Sequence, residues 1–325
     1  MKSLYASLFL PESLQEACIS QAMERLKHVD MNCGMRYTSF PRFRSLKPYT
    51  RYEHSVGVAK LIYHFTGDEV QSFAGLFHDI ATPVFSHVVD FMEGDHMNQE
   101  ATESRTAQLI DQDPLIHALL VRRSIPLHAV ADYHQYPIAD NDSPKLSCDR
   151  LEYTLGNMVN YGFAEVSLVN VILKDLIIAP NESGEAELQF QNQATALQFA
   201  RLALACGRIY SGDENRYAME YLAGILRSAI TMNLLCTDEL YGREEAVIAI
   251  LEHSSLKEDW QTFQNLYEIR EGTPEDGLNL DAKRRYIDPL IKDQGRATEC
   301  DPSFREAVLQ FKEESYDRWL KGVSE

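Results

Sequence analysis

Apolar residues return at spacings of three and four along almost the whole chain, and this period limits the fold more than any other feature. In "RYEHSVGVAKLIYHF", Val58, Leu61, Ile62 and Phe65 form one stripe, so a helix is predicted there. "EVQSFAGLFHDI" is more strongly apolar and reads as a core helix, ended locally by Pro83. "PESLQEACISQAMERLKHV", "SCDRLEYTLGNMVNYG", "ATALQFARLALACGRIYSG" and "NRYAMEYLAGILRSAITMNLL" repeat the pattern, and "SFREAVLQFKEESYDRWL" reads as a terminal helix. Two stretches break it. "DMNCGMRYTSFPRFRSLKPYT" holds Gly34, Pro41 and Pro48 and reads as loop with a short strand or hairpin. "SLVNVILKDLIIAP" and "ELQFQNQ" are candidate strands around the turn signal at 181–184.

The expected architecture is an all-α bundle with a small β-hairpin element. Residues 1–235 would form the helical core, with the motifs below at 51–157. Residues 236–325 would form a helical C-terminal extension packed on it. With 325 residues there is ample apolar mass for one core.

Lys and Arg number 31 against 49 Asp and Glu, a formal net charge of -18. Such a chain repels polyphosphate backbones at long range, which disfavours general nucleic-acid binding. A few basic residues in a cleft could still hold a small phosphorylated molecule. The six cysteines are scattered and form no CxxC, as in a reduced intracellular protein. No apolar run is long enough for a transmembrane helix, and the N-terminal stretch lacks the features of an export signal. A cytoplasmic location without membrane association is expected.

Four polar positions stand out against the helical pattern: His54, the pair His78-Asp79, and Asp149, each group on its own predicted helix. Two imidazoles and two carboxylates suit one divalent cation such as Mn, Fe, Mg, Ni or Zn, with positions left for water and substrate. Arg51 lies three residues before His54, hence on the same helix face. Asp149, Tyr153 and Asn157 share another face, with Arg150 beside it. Taken alone, His78-Asp79 is a common helix-end pair. Ligands come in sets, and the set is what carries the signal.

The order Arg51-x-x-His54, His78-Asp79, Phe85-Ser86-His87 and Asp149-Arg150-x-x-Tyr153 resembles the HD-domain phosphohydrolases. Its closest likeness there is to the deoxynucleoside triphosphate triphosphohydrolases, over roughly residues 36 to 160. The resemblance implies that His54, His78, Asp79 and Asp149 hold the metal. It implies that Arg51 holds the phosphate next to the sugar and that Arg150 reaches the outer phosphates. Tyr153 would pack on the deoxyribose, with Asn157 one turn further along. His87 and Asp90 would orient the catalytic machinery. A homo-oligomer is expected on the same ground.

Two departures bear on activity. Thr82 stands where the family keeps a histidine, and Asn98 falls near the place of a second, with His96 two residues away. The first expectation is a metal-dependent phosphohydrolase acting on a nucleotide, with water activated by the cation as nucleophile. The alternative is a nucleotide-binding sensor with little catalysis. A binuclear site using His117, His128 or His134, as a di-iron oxygenase would need, ranks below both. Arg122-Arg123 and Lys283-Arg284-Arg285 read as solvated faces.

Overall fold

The computed structural model describes residues 4–93 and 105–324. His96 and Asn98 lie outside the described residues. The chain opens with α1 (Glu12–Cys18) and α2 (Gln21–Arg25), then an irregular stretch, then α3 (Arg51–Thr66) and α4 (Glu69–Phe77). Next come α5 (Val88–Glu93), α6 (Thr106–Gln112), α7 (Pro114–Arg123), α8 (His128–Ala131) and α9 (Cys148–Asn160). α10 (Val166–Asp175) leads into strands β1 (Leu176–Pro180) and β2 (Ala186–Phe190), followed by the long helices α11 (Gln193–Tyr210) and α12 (Asp213–Thr231). The last part holds α13 (Glu244–Glu252), α14 (Lys257–Gln264), β3 (Leu266–Glu271), β4 (Leu278–Asn279), β5 (Leu290–Ile291) and β6 (Gly295–Arg296). It closes with α15 (Ala297–Cys300), α16 (Pro302–Glu313) and β7 (Trp319–Ser324).

The fold is mostly helical, with two small sheets. β1 and β2 pair antiparallel, as the turn signal between them implied, but β2 also takes β5 in parallel and β5 takes β6. A second sheet has the order β3-β7-β4. The last residues are therefore a strand, where the apolar period had suggested one long helix. α16 stops at Glu313, and β7 pairs along β3 from Leu266 to Glu271. The early hairpin is absent among the described residues. That stretch holds turns, a short 3-10 turn at Met35–Tyr37 and a single bridge between Asp30 and Thr50.

Local chemistry sets the helices that matter for the site. α3 begins with a capping box: the Thr50 hydroxyl accepts from the Glu53 N–H at 3.2 Å, and the Glu53 carboxylate accepts from the Thr50 N–H at 3.0 Å. This fixes Arg51 and His54 in the first turn. α4 is capped by Asp68, and Ser72 to Phe77 are all buried, as its apolar run requires. The Ser147 hydroxyl caps α9 by accepting from the Arg150 N–H, which places Asp149 in that first turn. The largest apolar cluster joins Met35, Phe85, Leu222 and Trp260 with Leu320, so it draws on both sides of residue 235.

Candidate metal centre

α3, the end of α4 and the start of α9 bring three donor atoms together. His54 Nε2 lies 3.1 Å from His78 Nε2 and 3.0 Å from Asp149 Oδ1. His78 Nε2 is 3.6 Å from the same oxygen. Asp79 Oδ2 stands 3.6 Å from both imidazole nitrogens. His54, His78 and Asp149 form the one group of potential metal ligands that converges so closely among the described residues.

The atoms behind the imidazoles decide what faces forward. His54 Nδ1 lies 2.5 Å from the Glu152 carboxylate, and His78 Nδ1 lies 2.7 Å from the carbonyl of Gly75. Each acceptor holds the ring proton on Nδ1. Both Nε2 lone pairs then point at each other at 3.1 Å, which is repulsive unless a positive charge sits between them. Donors about 2.1 Å from one ion are about 3.0 to 3.4 Å apart at octahedral or tetrahedral angles. The separations from His54 to His78 and to Asp149, 3.1 and 3.0 Å, fall in that range, and the 3.6 Å separations lie just beyond it.

Electrostatics agree. Burial opposes charge on His54, yet Glu152 and Asp149 overcome it and push the imidazole up to about 10. Burial would raise Asp149, but the His54 hydrogen bond and the His78 charge hold it down to about 2. Asp79 is held far below the carboxylate range by Arg51 and the two histidines, again against burial. The pocket thus has a strong demand for positive charge, met by a proton or by a metal.

Glu152 was missed in the sequence. It is fully buried three residues after Asp149, and it also accepts from the Tyr49 hydroxyl. The i, i+3 spacing on α9 was the signal available. Gly57 makes room for it, since a Cβ there would lie 2.5 Å from Glu152 Oε1. Gly156 does the same for Tyr49, at 2.7 Å from its hydroxyl.

Arg51 donates to Asp79 Oδ2 at 2.8 Å and to the Ser86 hydroxyl at 3.0 Å, buried beside the cluster. Thr82 donates to Asp79 Oδ1 at 2.8 Å. The residue that departs from the family pattern therefore orients a candidate ligand. His87 Nδ1 lies 2.8 Å from Asp90 Oδ2, and burial, with Arg51 and Arg285, pushes the His87 imidazole below its ordinary value. Asp90 is fully buried, and its Oδ1 has no partner among the described residues.

All of this opens into a cleft of about 920 Å³. Tyr153 and Asn157 line it. Tyr153 packs edge-on to Tyr210, with centroids 6.3 Å apart, and the Asn157 amide nitrogen donates to the Tyr210 hydroxyl at 2.8 Å. Arg150 also lines the cleft, but its guanidinium turns to the loop ahead of α9. It donates to Asp140 at 3.0 Å, to the Lys145 carbonyl at 2.7 Å and to Asn141. In this arrangement it organises the loop in place of reaching outward.

The other expectations divide. His117 is exposed and pairs with Asp111, and His128 sits on the short helix α8, so neither joins the cluster. His134 lines the cleft beside Asp132 and Asp140. Lys283, Arg284 and Arg285 are not a solvated face: all three line the same cleft. Their segment has no helical or strand period from which a direction for these side chains could be read.

No protein-family model matches the chain. The chain is 25% identical over 258 residues to the metal-dependent phosphohydrolase cns2 of Cordyceps militaris, spanning 76% of this chain and 72% of that protein. It is 24% identical over 277 residues to the uncharacterized protein YdhJ of Bacillus subtilis, spanning 84% and 83%. No helix among the described residues is long and apolar enough to cross a membrane.

Proposed function

We propose that this chain is an HD-type metal-dependent phosphohydrolase acting on a nucleotide, with a deoxynucleoside triphosphate as the first candidate. The observation that carries it is the pair of imidazole nitrogens facing each other at 3.1 Å, with Asp149 and Asp79 completing the donor set. His54, His78, Asp79 and Asp149 would hold one divalent cation. When bound, such an ion acidifies water and neutralises charge on phosphoryl oxygens.

The chain's own groups do the rest. Glu152 and the Gly75 carbonyl hold the ring protons that keep both Nε2 atoms available. Arg51, positioned by Asp79 and Ser86, presents fixed positive charge next to the cluster, where phosphoryl oxygens gain charge in the transition state. His87 carries its proton on Nδ1 toward Asp90, which leaves Nε2 to exchange a proton with the reacting groups. Tyr153 and Asn157 form the wall against which a sugar would pack.

A product-resolved screen of dNTPs, NTPs and monophosphates, with Mn, Mg, Fe, Ni and Zn in turn, tests this. Released triphosphate and deoxynucleoside supports the first candidate, and released phosphate points to a nucleotidase. Thr82 favours a second reading, a nucleotide-binding sensor, because it fills the place of an expected histidine while bonding to Asp79. Tight nucleotide binding without any product would support that reading over the first.

A further inference from the structure

Behind His54, one glycine on α3 and one on α9 leave room for two large polar side chains. Gly57 yields its space to Glu152, whose Oε1 would lie 2.5 Å from a Cβ at 57. Gly156 yields its space to Tyr49, whose hydroxyl oxygen would lie 2.7 Å from a Cβ at 156. Both side chains are buried, with 1% of Glu152 and 2% of Tyr49 exposed. Apolar side chains would fill these spaces without the need for buried partners.

The two side chains meet on one atom. Glu152 Oε2 lies 2.5 Å from His54 Nδ1 and also accepts from the Tyr49 hydroxyl. Burial, with the Glu152 charge adding, pushes the phenol well above its ordinary value, so it keeps the proton that it donates. The backbone of Tyr49 is held in turn, because its carbonyl accepts from the Met31 N–H at 2.9 Å.

The last torsion of a glutamate is soft, so a carboxylate with a single donor can turn and present either oxygen. Here Oε1 seats against Gly57, and Oε2 takes two donors, one from the first turn of α3 and one from the stretch ahead of it. The carboxylate plane is thereby fixed, and with it the hydrogen bond that sets the His54 ring.

We propose that Tyr49 is a positioning residue for His54: its hydroxyl pins the Glu152 oxygen that aims the imidazole at the cluster. Tyr49 itself touches none of the candidate ligands' donor atoms and acts only through Glu152. This rests on the metal reading of the cluster, but one of its two tests needs no metal and neither needs turnover.

The first test is the manganese affinity of the full-length chain, read by competition with a chelating dye. Tyr49→Phe keeps the ring and its packing and removes only the hydroxyl. It should weaken manganese about fivefold, less than a change at Glu152 itself. In a Glu152→Ala background the same change should move affinity by no more than about twofold, because the relay is already cut. Tyr5→Phe is the control, since the Tyr5 hydroxyl donates to the Glu152 backbone carbonyl at 3.4 Å and not to its carboxylate. It should leave affinity at the wild-type value. Unchanged affinity in Tyr49→Phe overturns the proposal, as does a loss that adds in full to that of Glu152→Ala.

The second test follows the His54 Nδ1 proton by NMR in metal-free chain with isotope-labelled histidine. Its signal should be sharp in wild type and in Tyr5→Phe and broadened by solvent exchange in Tyr49→Phe. Equal signals in wild type and Tyr49→Phe overturn the proposal, and this test carries it if Glu152→Ala does not fold. Wild-type chain that binds no manganese would remove the metal reading, while a ring proton broadened in Tyr49→Phe would leave the relay to His54 standing.

Discussion

The carboxylate of Glu244 accepts a hydrogen bond of 3.1 Å from the backbone N–H of Phe85, which lies 159 residues earlier in the chain. The same oxygen accepts from the Asp30 N–H at 2.9 Å, and the other accepts from the Tyr37 hydroxyl at 2.8 Å. Phe85 and Ser86 both have positive φ, 58° and 51°, a conformation that costs free energy for residues with side chains. Ser86 receives Arg51, and His87 follows. A residue of α13 thereby holds the turn whose Ser86 hydroxyl accepts from Arg51 and which leads into the His87–Asp90 pair.

Glu244→Ala should leave two backbone amides buried without acceptors, a loss of about 2 to 4 kcal/mol. Metal content should stay at the wild-type value, because no candidate ligand touches Glu244. Turnover should fall at least tenfold through kcat. Metal analysis beside steady-state kinetics checks this, and unchanged kcat in folded protein would refute the positioning role.

Glu244 also predicts a pH effect. Burial, with the Asp30 charge adding, pushes its carboxyl up to about 7 from an ordinary 4.5, against the hydrogen bonds it accepts. Between those values the folded chain holds a proton that the unfolded chain has released. Stability from this group is therefore full below pH 4.5 and is lost as pH rises through about 7. The difference between wild type and Glu244→Gln should shrink by up to about 3 kcal/mol from pH 4.5 to 8. Denaturant melts across that range measure it, and parallel curves for the two proteins would count against it.

Glu152→Gln tests the support behind the metal. It should retain the fold, because a Gln fits the same space, but it loses the charge that steadies the His54 ring. Metal affinity should drop about 10- to 100-fold. Competition with a chelating dye reads this directly, and wild-type affinity would mean that Glu152 serves packing alone.

Thr82→Val removes the hydroxyl that orients Asp79 while keeping the volume. Metal affinity should fall several-fold, and Thr82→Ser should restore it. If Thr82→His instead creates hydrolysis that the wild type lacks, the sensor reading replaces the enzyme reading.

The legible part of this molecule was local. Helical spacing marked α3, α4 and α9, and the polar residues that interrupt it marked His54, His78 and Asp149. Their convergence depends on three helix ends, each with a readable cap or stop. What stayed hidden was carried by long-range pairing. β7 looks helical until β3 is placed beside it, because strand pairing overrides a weak period. Glu244 reads as one acid among the two at the start of α13, since its partners are backbone amides far away. Lys283 and Arg285 read as surface because a segment without a period gives no direction to its side chains. Arg150 showed the opposite case: its place beside Asp149 was clear, but its commitment to Asp140 and the Lys145 carbonyl was not.

The central claim is that the His54–His78–Asp79–Asp149 set holds one cation that serves phosphate hydrolysis. The most direct measurement is metal stoichiometry together with product release from dNTPs, on wild type and His78→Ala, with and without chelator. The account predicts one divalent ion per wild-type chain, product that disappears on chelation, and neither ion nor product in His78→Ala. Wild-type chain that binds no ion, or product release that survives both chelation and His78→Ala, would contradict it.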